Sequence, residues 1–172
     1  MPSPLGHAIA GAATGWVVTG ACGRPEGPAE IWRWGALFAL LGMLPDVDLL
    51  FGAHSGPTHS LGSAVIVGLA AYALSGKSRI GFAAATAYAS HTLLDWLGTD
   101  SSPPIGIMAL WPLSREYYQS GLHVFHAISR RYWLPEIWEH NSRAVARELL
   151  ILMPAALLIL VLQRRRLRTR RN

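Results

Sequence analysis

Five apolar stretches alternate with short polar breaks along the chain. They run from His7 to Cys22, Ile31 to Leu50, Ser60 to Leu74, Ile80 to Leu97 and Leu149 to Leu162. A helix that crosses a bilayer needs roughly 20 apolar residues, about 17 at the short end, so each stretch is near that limit. Between the fourth and fifth stretches the pattern changes. Leu113–Arg131 and Leu134–Arg147 mix apolar and charged positions and predict two amphipathic helices at a membrane surface, separated near Leu134-Pro135. The pattern thus predicts an all-α fold: an integral membrane helical bundle of about five apolar helices plus interfacial amphipathic helices. Residues 1–172 read as one membrane domain. Within it, 1–97 is a four-helix core, 98–147 an extracytoplasmic interfacial segment, and 148–172 the last helix with a basic tail.

Composition favours lipid over water. Of 172 residues, 51% are hydrophobic and only 15% charged, against about 25% charged in an ordinary soluble domain. Trp16, Trp32, Trp34, Trp96 and Trp111 lie at or near stretch ends, as interfacial aromatics do. Gly11, Ala12, Ala13 and Gly15, and again Ala83, Ala84, Ala85, Ala87 and Ala89, allow close helix approach. Cys22 is the lone cysteine, which excludes an internal disulfide framework. The N-terminus lacks the basic region of a cleavable signal.

The net charge of +5 comes from one place. Arg164, Arg165, Arg166, Arg168, Arg170 and Arg171 end the chain, and without these six, nine basic residues face ten acidic ones. A near-neutral body with a basic tail argues against a nucleic-acid partner. Basic residues beside an apolar helix mark its cytoplasmic side. With the tail inside, five spans put Arg24, Arg33, Lys77 and Arg79 inside as well. His7, Asp46, Asp48, His54, His59, His91 and Asp95 then all fall at the opposite, extracytoplasmic face. Lys and Arg alone set that topology, so the convergence of His and Asp is independent of it.

Those seven residues suit metal chemistry. His91 and Asp95 are four apart and share a helix face. Asp46 and Asp48 follow Pro45, which breaks or kinks a helix, and no Lys or Arg lies within ten residues of them. Paired carboxylates beside apolar sequence need a compensating cation. His54 and His59 bracket Ser55-Gly56-Pro57-Thr58, a turn that can bring both imidazoles to one point. Taken singly, each feature also fits a packed histidine, a solvated carboxylate pair or a buried His–Asp hydrogen bond. Clustered on one face, they predict imidazole and carboxylate ligands for one or two zinc ions, with manganese or iron as alternatives. His123, His126 and His140 read as surface or packing residues.

The motifs Gly6-His7, Leu44-Pro45-Asp46-Val47-Asp48, His54-Ser55-Gly56-Pro57-Thr58-His59-Ser60, Ser90-His91-Thr92-Leu93-Leu94-Asp95 and Leu110-Trp111-Pro112-Leu113-Ser114 occur in this order over residues 1–120. In this the chain resembles a family of membrane-bound, metal-dependent hydrolases, one branch of which is under LexA control. Ser55 stands where that family usually has a basic residue. The order His, Asp, His, His-x-x-x-Asp is also distantly similar to the helical zinc-dependent phospholipase C and single-strand nuclease group. That similarity implies that Asp46 or Asp48, His59, His91 and Asp95 hold one metal, and that His7 helps hold another with Asp95 bridging. His123 and His126 are loose matches to that group's remaining ligands.

The expected activity is hydrolysis of a phosphoester by metal-activated water, with a membrane lipid or lipid-linked molecule as substrate. Asp48 or Asp46 would be the general base, and Arg115 would bind the phosphate. Two other readings use the same residues: a non-catalytic scaffold or regulator with a structural metal site, and a metal-ion transporter.

Overall fold

The computed structural model describes residues 1–22, 28–52 and 54–168. Arg24, Arg170 and Arg171 lie outside the described residues, as do the side chains of Cys22, Arg166 and Arg168. The described chain is all-helical, about 70% helix with no strand. Five α-helices are present: α1 (Pro4–Cys22), α2 (Pro28–Met43), α3 (Leu61–Ser75), α4 (Ser78–Leu97) and α5 (Pro135–Arg168). Two stretches, 29–51 and 135–165, are long and apolar enough to cross a membrane, and α3 is apolar but shorter. α1 and α4 draw on small and polar residues instead, because they line the core; Ala83, Ala84 and Ala87 are buried.

Local sequence explains where the helices start and stop. Pro4 opens α1 at a position that needs no amide donor, and the Ser3 hydroxyl accepts the Gly6 N–H at 3.1 Å. α2 runs into Pro45 and tightens into a 3-10 helix, Leu44–Phe51, closed by Gly52 at φ 75°. A second short 3-10 turn, Pro57–His59, leads into α3, where Ser60 accepts the Ser63 N–H at 3.0 Å. Gly76, at φ 65°, ends α3.

Close approach of small residues sets the packing. Gly11 of α1 lies on Gly42 of α2, and Gly35 lies under Trp16, so the two helices run antiparallel. Gly68 of α3 meets Gly81 and Ala85 of α4, again antiparallel. α1 and α4 are also antiparallel: Ala10 packs with Leu94 at one end, and Val18 with Ala83 and Ala87 at the other. α5 runs parallel to α1, with Glu148 at Ser3 and Gln163 at Trp16. One end of the bundle therefore collects the start of α1, the exit of α2, the entry to α3 and the end of α4. The other end carries Arg33, Lys77, Arg79 and Arg164.

Three sequence expectations are corrected. Leu113–Arg131 is not a helix. It belongs to an irregular segment, 99–134, laid over the first end of the bundle by main-chain bonds such as Leu61 N–H to Ala109 O (3.0 Å) and Val124 N–H to Leu97 O (2.8 Å). Gly121 (φ 71°) and His123 (φ 48°) sit in the left-handed region, which a right-handed helix cannot contain. Leu134–Arg147 is not a separate element either; from Pro135 it is continuous with the last apolar stretch in the 34-residue α5. Trp16 is buried and donates its indole N–H to Ile31 O at 3.0 Å, so it joins α1 to α2.

Candidate metal centre

All seven predicted ligands gather at the end of the bundle; His54 meets Asp48 at 3.0 Å and the His59 ring at 4.7 Å between centroids, and groups with Asp46 and His59. α4 supplies His91 and Asp95 one turn apart, with His91 Nε2 and Asp95 Oδ2 3.0 Å apart. The turn after Pro57 places His59 Nε2 at 3.5 Å from that same oxygen. The 3-10 helix after Pro45 brings Asp46 Oδ1 to 3.6 Å from His59 Nε2 and 3.7 Å from His91 Nε2. On the far side, His7 Nε2 lies 3.3 Å from Asp95 Oδ1, and its ring stacks on His91 at 3.7 Å between centroids.

The imidazoles of His59 and His91 are held with their Nε2 atoms free. A carbonyl oxygen can only accept, so the 2.8 Å contact of His91 Nδ1 with Gly42 O fixes the proton on Nδ1. His59 Nδ1 is likewise 3.2 Å from Asp48 Oδ2. Such partners behind an imidazole are typical of metal-ligating histidines. Asp48 is itself held by the Thr58 hydroxyl at 2.8 Å and by His54 Nδ1 at 3.0 Å. Carboxylates surround His59: burial lowers its pKa, but the nearby Asp46 and Asp48 carboxylates outweigh this and raise it to about 9.

His7 Nδ1, His59 Nε2, His91 Nε2 and both Asp95 oxygens are buried without a hydrogen-bond partner. Five such atoms in one place call for an explanation. A tetrahedral zinc ion with bonds of about 2.0–2.1 Å separates its ligand atoms by about 3.3 Å. Four separations among His59 Nε2, His91 Nε2, Asp95 Oδ2 and Asp46 Oδ1 fall between 3.0 and 3.7 Å. The residues therefore suit a divalent cation: His59, His91 and Asp95 form one group that could hold one, and Asp46 forms further groups with His7 and His91 and with His54 and His59.

The geometry separates residues that the sequence left equivalent. Asp46 faces the free nitrogens, whereas both oxygens of Asp48 are engaged by His54, Thr58 and His59. Asp48 thus backs a ligand instead of pointing at the shared space. Arg115 is exposed and forms no ion pair with the cluster. His123, His126 and His140 are exposed, His126 being bonded to Arg147 and His140 to Ala127 O, so the loose matches at 123 and 126 do not join the centre. Sequence reasoning missed the Gly42 carbonyl, Thr58 and Glu148. Thr58 sat in a motif already quoted, while a main-chain acceptor has no side-chain signature.

An all-helical membrane protein with a buried His–Asp cluster at one end of its bundle is the class these features define. The chain belongs to the YdjM inner membrane protein family, whose family model matches residues 1–167. That membership, with the two long apolar stretches, supports an inner-membrane location. No curated protein and no solved structure matches the chain.

Proposed function

We propose that the protein is a membrane-bound, metal-dependent hydrolase that cleaves a phosphoester of a lipid or lipid-linked substrate. The observation that carries this reading is the set of unpartnered, buried donor atoms of His59, His91 and Asp95, with each Nε2 3.0–3.5 Å from Asp95 Oδ2 and 3.6–3.7 Å from Asp46 Oδ1. These four residues would hold zinc, or else manganese or iron, and His7 with the second oxygen of Asp95 offers donors for another ion. When bound, the cation supplies Lewis acidity toward water and a phosphoryl oxygen.

The chain's own groups do the rest. Asp48 and Gly42 O hold the imidazoles in the tautomer that leaves Nε2 free. Asp46 has a side chain 22% exposed, whereas those of His59, His91 and Asp95 are closed off, so substrate and water reach the centre past Asp46. An oxygen of Asp46 not used as a ligand is placed to take the proton of the attacking water. Water adds to phosphorus, the P–O ester bond breaks, and the alcohol leaves with a proton.

The rim of that opening favours a lipid. Leu50 and Phe51, 80% and 82% exposed, continue the apolar stretch 29–51 that contains Asp46. A substrate with a hydrocarbon tail can lie along this rim with its phosphate at Asp46. In this reading the five helices cross the inner membrane, the basic end lies in the cytoplasm, and the centre faces the extracytoplasmic side.

One observation favours a second reading, a structural metal site in a scaffold or regulator: three of the four donors are fully buried, as in closed sites. The transporter reading has no comparable support, since the polar groups gather at one end and not at mid-bundle. The test is a panel of phospholipids and soluble phosphoesters with added zinc or manganese. Turnover of lipid phosphoesters by wild type and its loss in His91→Ala supports the hydrolase. Good cleavage of soluble esters with none of lipid removes the lipid substrate, and no turnover by a zinc-loaded protein favours the structural site.

A further inference from the structure

A buried carboxylate outside the cluster stands over the first turn of α1. Glu148 is 1% exposed on α5, just before its most apolar part. A carboxylate at such a position is costly to keep and marks a role. Its Oε1 accepts the Ser3 N–H at 2.8 Å, and its Oε2 accepts the Ser3 hydroxyl. Ser3 in turn accepts the Gly6 N–H, and its carbonyl accepts the His7 N–H at 3.1 Å. Gly6 makes room for the carboxylate: a Cβ there would come within 2.6 Å of Oε2.

His7 needs an anchor of this kind. His91 and His59 are each fixed by a bond at Nδ1, but His7 Nδ1 has no partner. Its ring is located only by the stacking on His91, the contact with Asp95, and the backbone that carries it. We infer that Glu148 is a positioning residue of the centre, fixing the first turn of α1 and so the place of His7 beside Asp95 and His91. This rests on the metal-centre reading above. A second polar clamp, Gln163 Nε2 to Trp16 O at 2.6 Å, joins the same two helices about 15 residues further along, roughly 22 Å at 1.5 Å per residue. It holds α5 to α1 without touching the centre, which makes it the natural control.

The test measures zinc affinity by chelator competition, and the visible absorption of bound cobalt(II), on the full chain in detergent micelles. Wild type, Glu148→Ala, Glu148→Gln, Gly6→Ala and Gln163→Ala are compared. Glu148→Ala is expected to weaken zinc binding about 10–100-fold, as loss of an outer partner does, and to shift the cobalt spectrum. Glu148→Gln, which keeps the shape and one acceptor for Ser3, recovers part of this and guards against misfolding of the alanine variant. Gly6→Ala, which displaces the carboxylate without removing it, weakens binding in the same direction. Gln163→Ala leaves affinity and spectrum at the wild-type values. If wild type binds zinc and the Glu148 variants match Gln163→Ala, Glu148 is only a helix clamp and the inference is overturned. If wild type binds no zinc, the metal-centre reading fails first and takes this inference with it.

Discussion

The two ends of the bundle treat charge in opposite ways. At one end Arg33, Lys77 and Arg164 stand exposed, and the Arg164 guanidinium lies 5.2 Å from the Trp32 ring. Long basic side chains there keep their heads in water while their stems cover apolar surface. At the other end His7, His59, His91 and Asp95 are withdrawn from solvent, and no Lys or Arg pairs with the carboxylates among the described residues. Exposed charge at the basic end costs little and tolerates change. Buried charge at the site end needs a fixed partner, and imidazoles alone leave five donor atoms unpaired. The contrast shows why one end is read as a determinant of orientation and the other as a metal centre.

Substitutions at the two ends should therefore differ sharply. The largest effect is expected for His91→Ala and Asp95→Asn, each of which should lower zinc affinity by more than the about 100-fold that loss of an outer partner costs; chelator competition measures it. Asp46→Asn against Asp48→Asn sharpens the comparison within the site end. Asp46→Asn should behave like a ligand loss, and Asp48→Asn should cost only about 10–100-fold. Equal losses would show that the two carboxylates share the ligand role.

An intermediate effect belongs to the packing that holds the ends apart. Gly68→Leu at the α3–α4 crossing, where Gly81 and Ala85 leave no room for a side chain, should destabilise the fold by about 1–3 kcal/mol. Thermal unfolding in detergent would show this, together with zinc affinity that is unchanged while the protein is folded. The smallest effect is expected for Lys77→Ala with Arg79→Ala. Zinc affinity and melting temperature should stay at wild-type values, and only the orientation reported by terminal fusions should become less uniform.

Much of the site was legible because His and Asp are conspicuous in apolar sequence. His91 and Asp95 needed only the helical repeat. Asp46 and Asp48 could not be told apart, because their directions depend on the 3-10 winding that follows Pro45, and that is a property of the backbone. Glu148 was hidden for another reason. It ends a charged stretch containing Arg143 and Arg147, so nothing in the pattern separates it from solvated neighbours until α5 is seen lying along α1.

The fold was legible where small residues and prolines dictate it. It was misread at 113–131, where apolar residues such as Leu113, Tyr117 and Leu122 are mixed with charged and polar ones. All three are exposed, while Phe125 is buried and the chain turns through Gly121. Spacing alone does not reveal which apolar residues a main-chain-bonded segment tucks inward.

Elemental analysis of the full chain purified in detergent, wild type beside His91→Ala, tests the central claim most directly. The account predicts at least about one zinc, manganese or iron ion per wild-type chain, as expected of one four-ligand site, and a marked loss in the variant. The same negligible metal in both, persisting after zinc is supplied, would contradict it.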